Sequence, residues 1–185
     1  MRFPVLLFSL AMAATVGGCS GDKAASTDTQ PAAKPAKEAV SARRHDESSY
    51  AEPDKVRITD LALDLALDFE QKQLAGTATY TLDWTDPQAT RLLLDTRELT
   101  IAKVEGEADG AWAPLQFALA DADPVFGSKL AIEAPQRNPR IRVSYHTAPT
   151  ASGLQWLEPA MTEGKQLPFM FSQSQQIHAR SWVPL

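Results

Sequence analysis

Residues 61–84 read LALDLALDFEQKQLAGTATYTLDW, and this stretch decides the fold. Leu61, Leu63, Leu65, Leu67 and Phe69 alternate with Ala62, Asp64, Ala66 and Asp68. A period of two sends the leucines to one face of a strand and the aspartates to the other. Glu70-Gln71-Lys72-Gln73 is short and polar, which predicts a hairpin turn. The return strand, Leu74–Trp84, places Ala78, Tyr80, Leu82 and Trp84 on one face and Thr77, Thr79, Thr81 and Asp83 on the other. Threonine and aromatic residues suit a pleated, half-buried surface. Val56 and Ile58 fall out of phase with the leucines, so a bulge or a strand start is expected near Thr59-Asp60.

The same rhythm continues toward the C-terminus. Asp86-Pro87 ends the second strand. Short strands are expected over Leu92–Leu94, Leu99–Val104, Trp112–Leu119, Lys129–Ile132 and Arg140–His146. Asp109-Gly110 is a strong two-residue turn signal between the second and third of these. No sustained helical period appears beyond the N-terminal segment. The expected fold is all-β, a sandwich or a large antiparallel sheet.

Toward the N-terminus the composition changes. Residues 19–49 are rich in alanine and charge, with Val40 their only large aliphatic residue. Such a run buries too little apolar area to offset its ordering entropy, so it reads as a flexible spacer before a domain over 50–185. His45, beside Arg43, Arg44 and Asp46, reads as solvated. Residues 1–18 carry Arg2, then an apolar stretch from Phe3 to Val16, then Gly17 and Gly18. The stretch is too short for a convincing membrane span and reads as an export signal.

Val16-Gly17-Gly18-Cys19 resembles a bacterial lipoprotein lipobox. The resemblance implies cleavage before Cys19, a lipid on its thiol and a membrane anchor. Ser20 then implies sorting to the outer membrane, with the domain facing the periplasm. The competing reading is an ordinary cleaved signal with an incidental cysteine.

Bulk composition excludes several functions. The 185 residues carry a formal net charge of -5, so a phosphate backbone is repelled and no nucleic-acid partner is expected. Cys19 is the only cysteine, which rules out an intrachain disulfide framework and a thiolate zinc cluster. His45, His146 and His178 are the only histidines, and none begins an H-E-x-x-H zinc helix. G-x-S-x-G and a Gly-rich phosphate loop are also absent. Asp64 and Asp68 share a strand face roughly 13 Å apart, wider than the roughly 5–9.5 Å of glycosidase pairs. A solvated face fits them better. Trp84, Trp112, Trp156 and Trp182 read as core or interface residues before a carbohydrate platform.

Four runs go further: LDLALDFEQKQLAGTATYTL, LLLDTRELTI (92–101), SYHTAPTASGLQWL (144–157) and PFMFSQSQQIHARSWVP (168–184). Together they resemble the N-terminal domain of zinc aminopeptidases of the aminopeptidase N and leukotriene A-4 hydrolase family. The resemblance covers roughly residues 45–185. It implies a saddle-like β domain, incomplete at its C-terminus, that packs beside a zinc-bearing catalytic domain. It implies a parent enzyme that removes N-terminal residues from peptides. No cofactor is expected in this chain; zinc is implied for the missing catalytic domain, whose H-E-x-x-H and G-x-M-E-N elements do not occur here.

By the same resemblance, Gln173 and Gln175 match the paired polar residues that border the substrate, with Gln176 beside them. Glutamine amides donate and accept, so they can bond a peptide backbone or its free amino end. On a strand, residues 173 and 175 would share one face. Without the resemblance, a polar strand edge satisfied by water is the simpler reading. Gln176 departs from the small residue common at that position. His178 is too far along a strand from Ser172 or Ser174 for a nucleophile–base pair, so a hydrogen-bonded or interface histidine is expected. His146 reads as a surface or edge residue. Arg180 is a candidate partner for a carboxylate of the missing domain. The alternative to the enzyme reading is a stand-alone, non-catalytic β-sandwich lipoprotein acting as a binding module. Cys19→Ala is expected to shift the protein from the membrane to the soluble fraction in a bacterial host. An unchanged membrane fraction overturns the anchor.

Overall fold

The computed structural model describes residues 46–185. Cys19, His45, the expected export signal over 1–18 and most of the spacer over 19–49 lie outside the described residues. Strand β1 (Val56–Asp68) and strand β2 (Gln73–Trp84) form the expected antiparallel hairpin. The register explains the phase change. Val56 and Ile58 pair with Trp84 and Leu82, then a bulge at Thr59 shifts the pairing. Leu61 and Leu63 thereafter oppose Tyr80 and Ala78, so residues from both phases reach one face. Asp68 caps the turn by accepting the Gln71 N–H at 2.8 Å.

Next come β3 (Arg91–Thr96), β4 (Thr100–Ala108), β5 (Ala111–Pro114), β6 (Phe117–Leu119), β7 (Ser128–Glu133) and β8 (Arg140–His146). Asp109 and Gly110 make the tight β4–β5 turn with φ of 51° and 78°. The strands build a five-stranded antiparallel sheet, in the order β1-β2-β8-β4-β5, and a three-stranded sheet, β3-β7-β6. Trp112–Leu119 is therefore not one strand. Pro114 has no N–H to extend the first ladder, and the chain crosses at Leu115-Gln116 to the second sheet.

The sheets face each other across the main core. Tyr80, Val104, Ile141 and Val143 of the large sheet meet Leu94, Leu130 and Ile132 of the small one, all essentially inaccessible. Each such side chain contributes about 1.5–3 kcal/mol on burial. The all-β sandwich is thus confirmed, with one qualification. The hairpin outruns the small sheet, leaving Leu63, Leu67 and Phe69 exposed on the face expected to be buried. His146 is partly accessible, in phase with Arg140, Arg142 and Ser144, but the edge position expected as the alternative is corrected. It ends the central strand β8, paired with both β2 and β4, instead of lying at an edge.

The outer face of the large sheet is polar. Glu105 accepts from Arg142 at 2.7 Å and pairs with Lys103 at 2.6 Å. Arg142 and then Lys103 hold its carboxyl down at about 2, against an ordinary value of 4.5. The Arg142 guanidinium also lies 4.4 Å from the Trp112 ring centre.

A third, two-stranded sheet joins β9 (Leu154–Leu157) to β10 (Phe169–Ser172). Its inner residues Leu154, Trp156 and Met170 pack with Leu74, Ala151 and Leu65 in a second, smaller core. Phe69 meets Trp156 edge to face at 5.5 Å, partly covering the hairpin's overhang. The chain then returns to the sandwich through residues 178–185. Arg180 and Asp95 form a buried ion pair at 3.3 Å, each side chain 7% exposed. Arg180 also donates to the Phe126 and Ser48 carbonyls, both at 2.7 Å. Asp95 accepts from the Ser49 hydroxyl and the Tyr50 N–H, both at 2.7 Å. Arg180 therefore serves a carboxylate of its own domain, which corrects the expectation of a partner elsewhere.

Two outcomes follow from these charges. Glu105 has a depressed folded pKa, so its contribution is complete above about pH 4.5 and is lost as pH falls toward about 2. Glu105→Gln is expected to melt lower at neutral pH and to flatten the acid decline across that window. Arg180→Ala strands a buried carboxylate and is expected to cost about 3–5 kcal/mol in urea unfolding.

Candidate functional site

Gln173, Gln175 and Gln176 lie in a turn directly after β10, all three exposed. Strand β10 ends at Ser172, so the expectation that residues 173 and 175 share a strand face is corrected. The turn forms because its polar groups find local partners. The Gln173 N–H donates to the Gly153 carbonyl at 2.9 Å, continuing the β9–β10 ladder by one step. The Gln173 side-chain oxygen accepts the Gln175 N–H at 3.1 Å. The His178 N–H donates to the Ser174 carbonyl at 3.0 Å and closes the turn. The peptide between Gln175 and Gln176 is cis.

The residues after the turn are anchored from beneath. Tyr80 donates its hydroxyl to the Pro184 carbonyl at 2.8 Å, and Tyr145 to the Trp182 carbonyl at 2.9 Å. Burial pushes both phenol pKa values up, Tyr145 adding to the rise at Tyr80, so both remain neutral donors. Ser181 accepts the Gly153 N–H at 2.8 Å and donates to the His178 carbonyl at 2.7 Å. Leu185 and Asp95 exchange backbone hydrogen bonds.

The histidine and tryptophan expectations resolve separately. The His178 ring lies 2.8 Å from the Ser152 hydroxyl, not beside Ser172 or Ser174. It is hydrogen-bonded and half-buried. The four tryptophans do not make one platform. Trp84 and Trp182 pack on the main core, Trp112 lies under two arginines, and Trp156 packs in the second core.

An apolar face adjoins the turn. Phe169 and Phe171 point outward from β10, stacked with ring centres 6.4 Å apart and 54% and 43% exposed. Leu157 lies opposite Phe169, and Met161 and Leu167 in the β9–β10 connection are also exposed. Neither β9 and β10 nor this face stood out in the residue pattern. A four-residue strand carries too few residues to display a period of two. The runs over 144–157 and 168–184 carry the family resemblance but no strand rhythm of their own.

Among the described residues, no three His, Cys, Asp or Glu side chains stand together as a metal site requires. His146 and His178 belong to different elements and different hydrogen-bond settings. The described residues do not fit a zinc ion. What the turn does offer is a set of neutral amide donors and acceptors beside an apolar surface.

Comparison with known proteins identifies the family. The chain is 34% identical over 142 residues to leucine aminopeptidase 2 of Yarrowia lipolytica, covering 75% of this chain and 21% of that protein. It is 35% identical over 144 residues to leukotriene A-4 hydrolase of Xenopus laevis, covering 75% and 23%. Among solved structures, yeast LTA4 hydrolase in complex with bestatin superposes with a TM-score of 0.69 at 27% identity, covering 79% of this chain and 23% of that one. The chain spans about a fifth of the length of the relatives it matches. Residues 47–185 match the peptidase M1 N-terminal domain, so an all-β sandwich carrying an anchored glutamine turn belongs to the N-terminal domain family of the M1 peptidases.

Proposed function

We propose that this chain is the non-catalytic N-terminal part of an exported, lipid-anchored zinc aminopeptidase, and that its glutamine turn forms one wall of the substrate cleft. The observation that carries this reading is the contrast within residues 173–185. Three exposed amides project from a backbone that buried groups hold down, as a preorganised recognition surface requires. The zinc and the hydrolytic step belong to the remainder of the parent enzyme. The exposed Phe169–Phe171 face is the surface that the remainder covers.

The amides divide the work. The Gln173 side-chain oxygen accepts the Gln175 N–H, while its amide nitrogen has no hydrogen-bond partner among the described residues and is free to donate. A nitrogen that only donates suits a peptide carbonyl. The amino end of a peptide carries donors alone and needs an acceptor. The side-chain oxygens of Gln175 and Gln176 supply one without adding a charge. In this reading, lipidation at Cys19 and export through residues 1–18 hold the parent in the cell envelope.

A titration of the isotope-labelled chain tests this. The tripeptide Leu-Ala-Ala is expected to shift the side-chain amide signals of Gln173, Gln175 and Gln176. Its N-acetylated form is expected to bind several-fold more weakly. Replacing Gln175 and Gln176 together by Ala is expected to abolish the difference between them. Amide signals that ignore both peptides overturn the cleft role.

A further inference from the structure

We infer that Trp182 is a positioning residue for the glutamine turn and acts through Ser174. The inference rests on the reading that this turn receives a peptide. Ser174 stands between Gln173 and Gln175, so its placement fixes where both amides point. Its hydroxyl accepts a hydrogen bond from the Trp182 indole nitrogen at 3.1 Å. Its carbonyl accepts the His178 N–H at 3.0 Å. The pivot of the turn is thus held by side chain and backbone together.

The donor is itself held by several contacts. The Trp182 ring packs against both hydrophobic clusters, so it bridges the sandwich and the β9–β10 unit. Its carbonyl accepts from Tyr145 at 2.9 Å, and its N–H donates to the Ala179 carbonyl at 3.0 Å. The ring edge that carries the nitrogen presses on Gly153. A Cβ added at Gly153 would stand 2.8 Å from Trp182 Cδ1 and 2.6 Å from the His178 carbonyl oxygen. Gly153 also accepts the Gln173 N–H at 2.9 Å. One indole edge therefore meets both Gly153, which receives the first N–H of the turn, and Ser174, the residue at its pivot.

This brace matters because the turn is otherwise exposed. Gln175 and Gln176 make no side-chain hydrogen bonds among the described residues. A turn already ordered loses less entropy when a peptide binds. Removing the brace leaves the sandwich packed but spreads the amides over many orientations.

The test uses Trp182→Phe, which keeps a ring and removes the donor, and Ser174→Ala, which removes the acceptor. Each is expected to weaken Leu-Ala-Ala binding roughly three- to tenfold. The double variant is expected to bind no more weakly than the weaker single one, because both remove the same bond. Ser174→Thr keeps the hydroxyl and is expected to bind as the unaltered chain does. Hydrogen exchange supplies a second readout. The His178 amide is expected to exchange faster in Trp182→Phe, while the Val143 amide in the central strand is unchanged. Unaltered affinity and unaltered His178 exchange in Trp182→Phe overturn the inference, as do additive losses in the double variant. If the unaltered chain binds no peptide, the cleft reading fails, and His178 exchange alone then decides the brace.

Discussion

The buried pair of Arg180 and Asp95 is the constraint on which the rest of the domain depends. Two ions removed from water are tolerated only when their remaining donors and acceptors are satisfied. Here they are, and the partners come from four separate places in the chain. Ser48, Ser49 and Tyr50 come from the start of the domain, Asp95 from β3, Phe126 from the loop before β7, and Arg180 from the final segment. The hydrophobic cores supply the bulk of the driving force and fix the strands' register. The final segment is no strand of either sheet, and the ion pair, with the Asp95–Leu185 and Arg97–Arg180 backbone bonds, holds it in place against the small sheet. The glutamine turn inherits its position from that anchorage.

Polar anchoring of this kind also explains how an exposed turn stays defined. The carbonyls of residues 182 and 184 are met by buried tyrosine hydroxyls rising from the large sheet. The backbone of Gly153 is shared between Ser181 and Gln173. Few of these contacts bury much apolar surface. They work by leaving the segment no alternative arrangement in which its buried polar groups remain paired.

Much of the sandwich was legible in the residue order, for reasons that can be named. Strands β1 and β2 are long, so their alternation repeats enough times to be unambiguous. The phase slip at Thr59 marked a real bulge, because two out-of-phase apolar sets can share a face only if one residue is looped out. Asp109-Gly110 marked its turn because both positions need positive φ. Trp112–Leu119 misled, since apolar content persists across Leu115 while the backbone changes sheets. The exposure of Leu63 and Leu67 was also invisible, because alternation reports which residues share a face and not how far the opposing sheet extends. The candidate site was legible only in part. Glutamine carries no periodic signal, and the strand geometry assigned to residues 173 and 175 gave way to a turn. Arg180 was misassigned because its partner stands 85 positions earlier, beyond the reach of any local pattern.

The separation of Arg180 from its partners bears on the order in which the domain can be completed. During synthesis at roughly 5–20 residues per second, Asp95 emerges roughly 4–17 s before the arginine that neutralises it. Until then, closing the sandwich over that carboxylate would bury an uncompensated ion. The growing polypeptide must therefore keep this corner hydrated and ajar, however early the β1–β2 hairpin has formed.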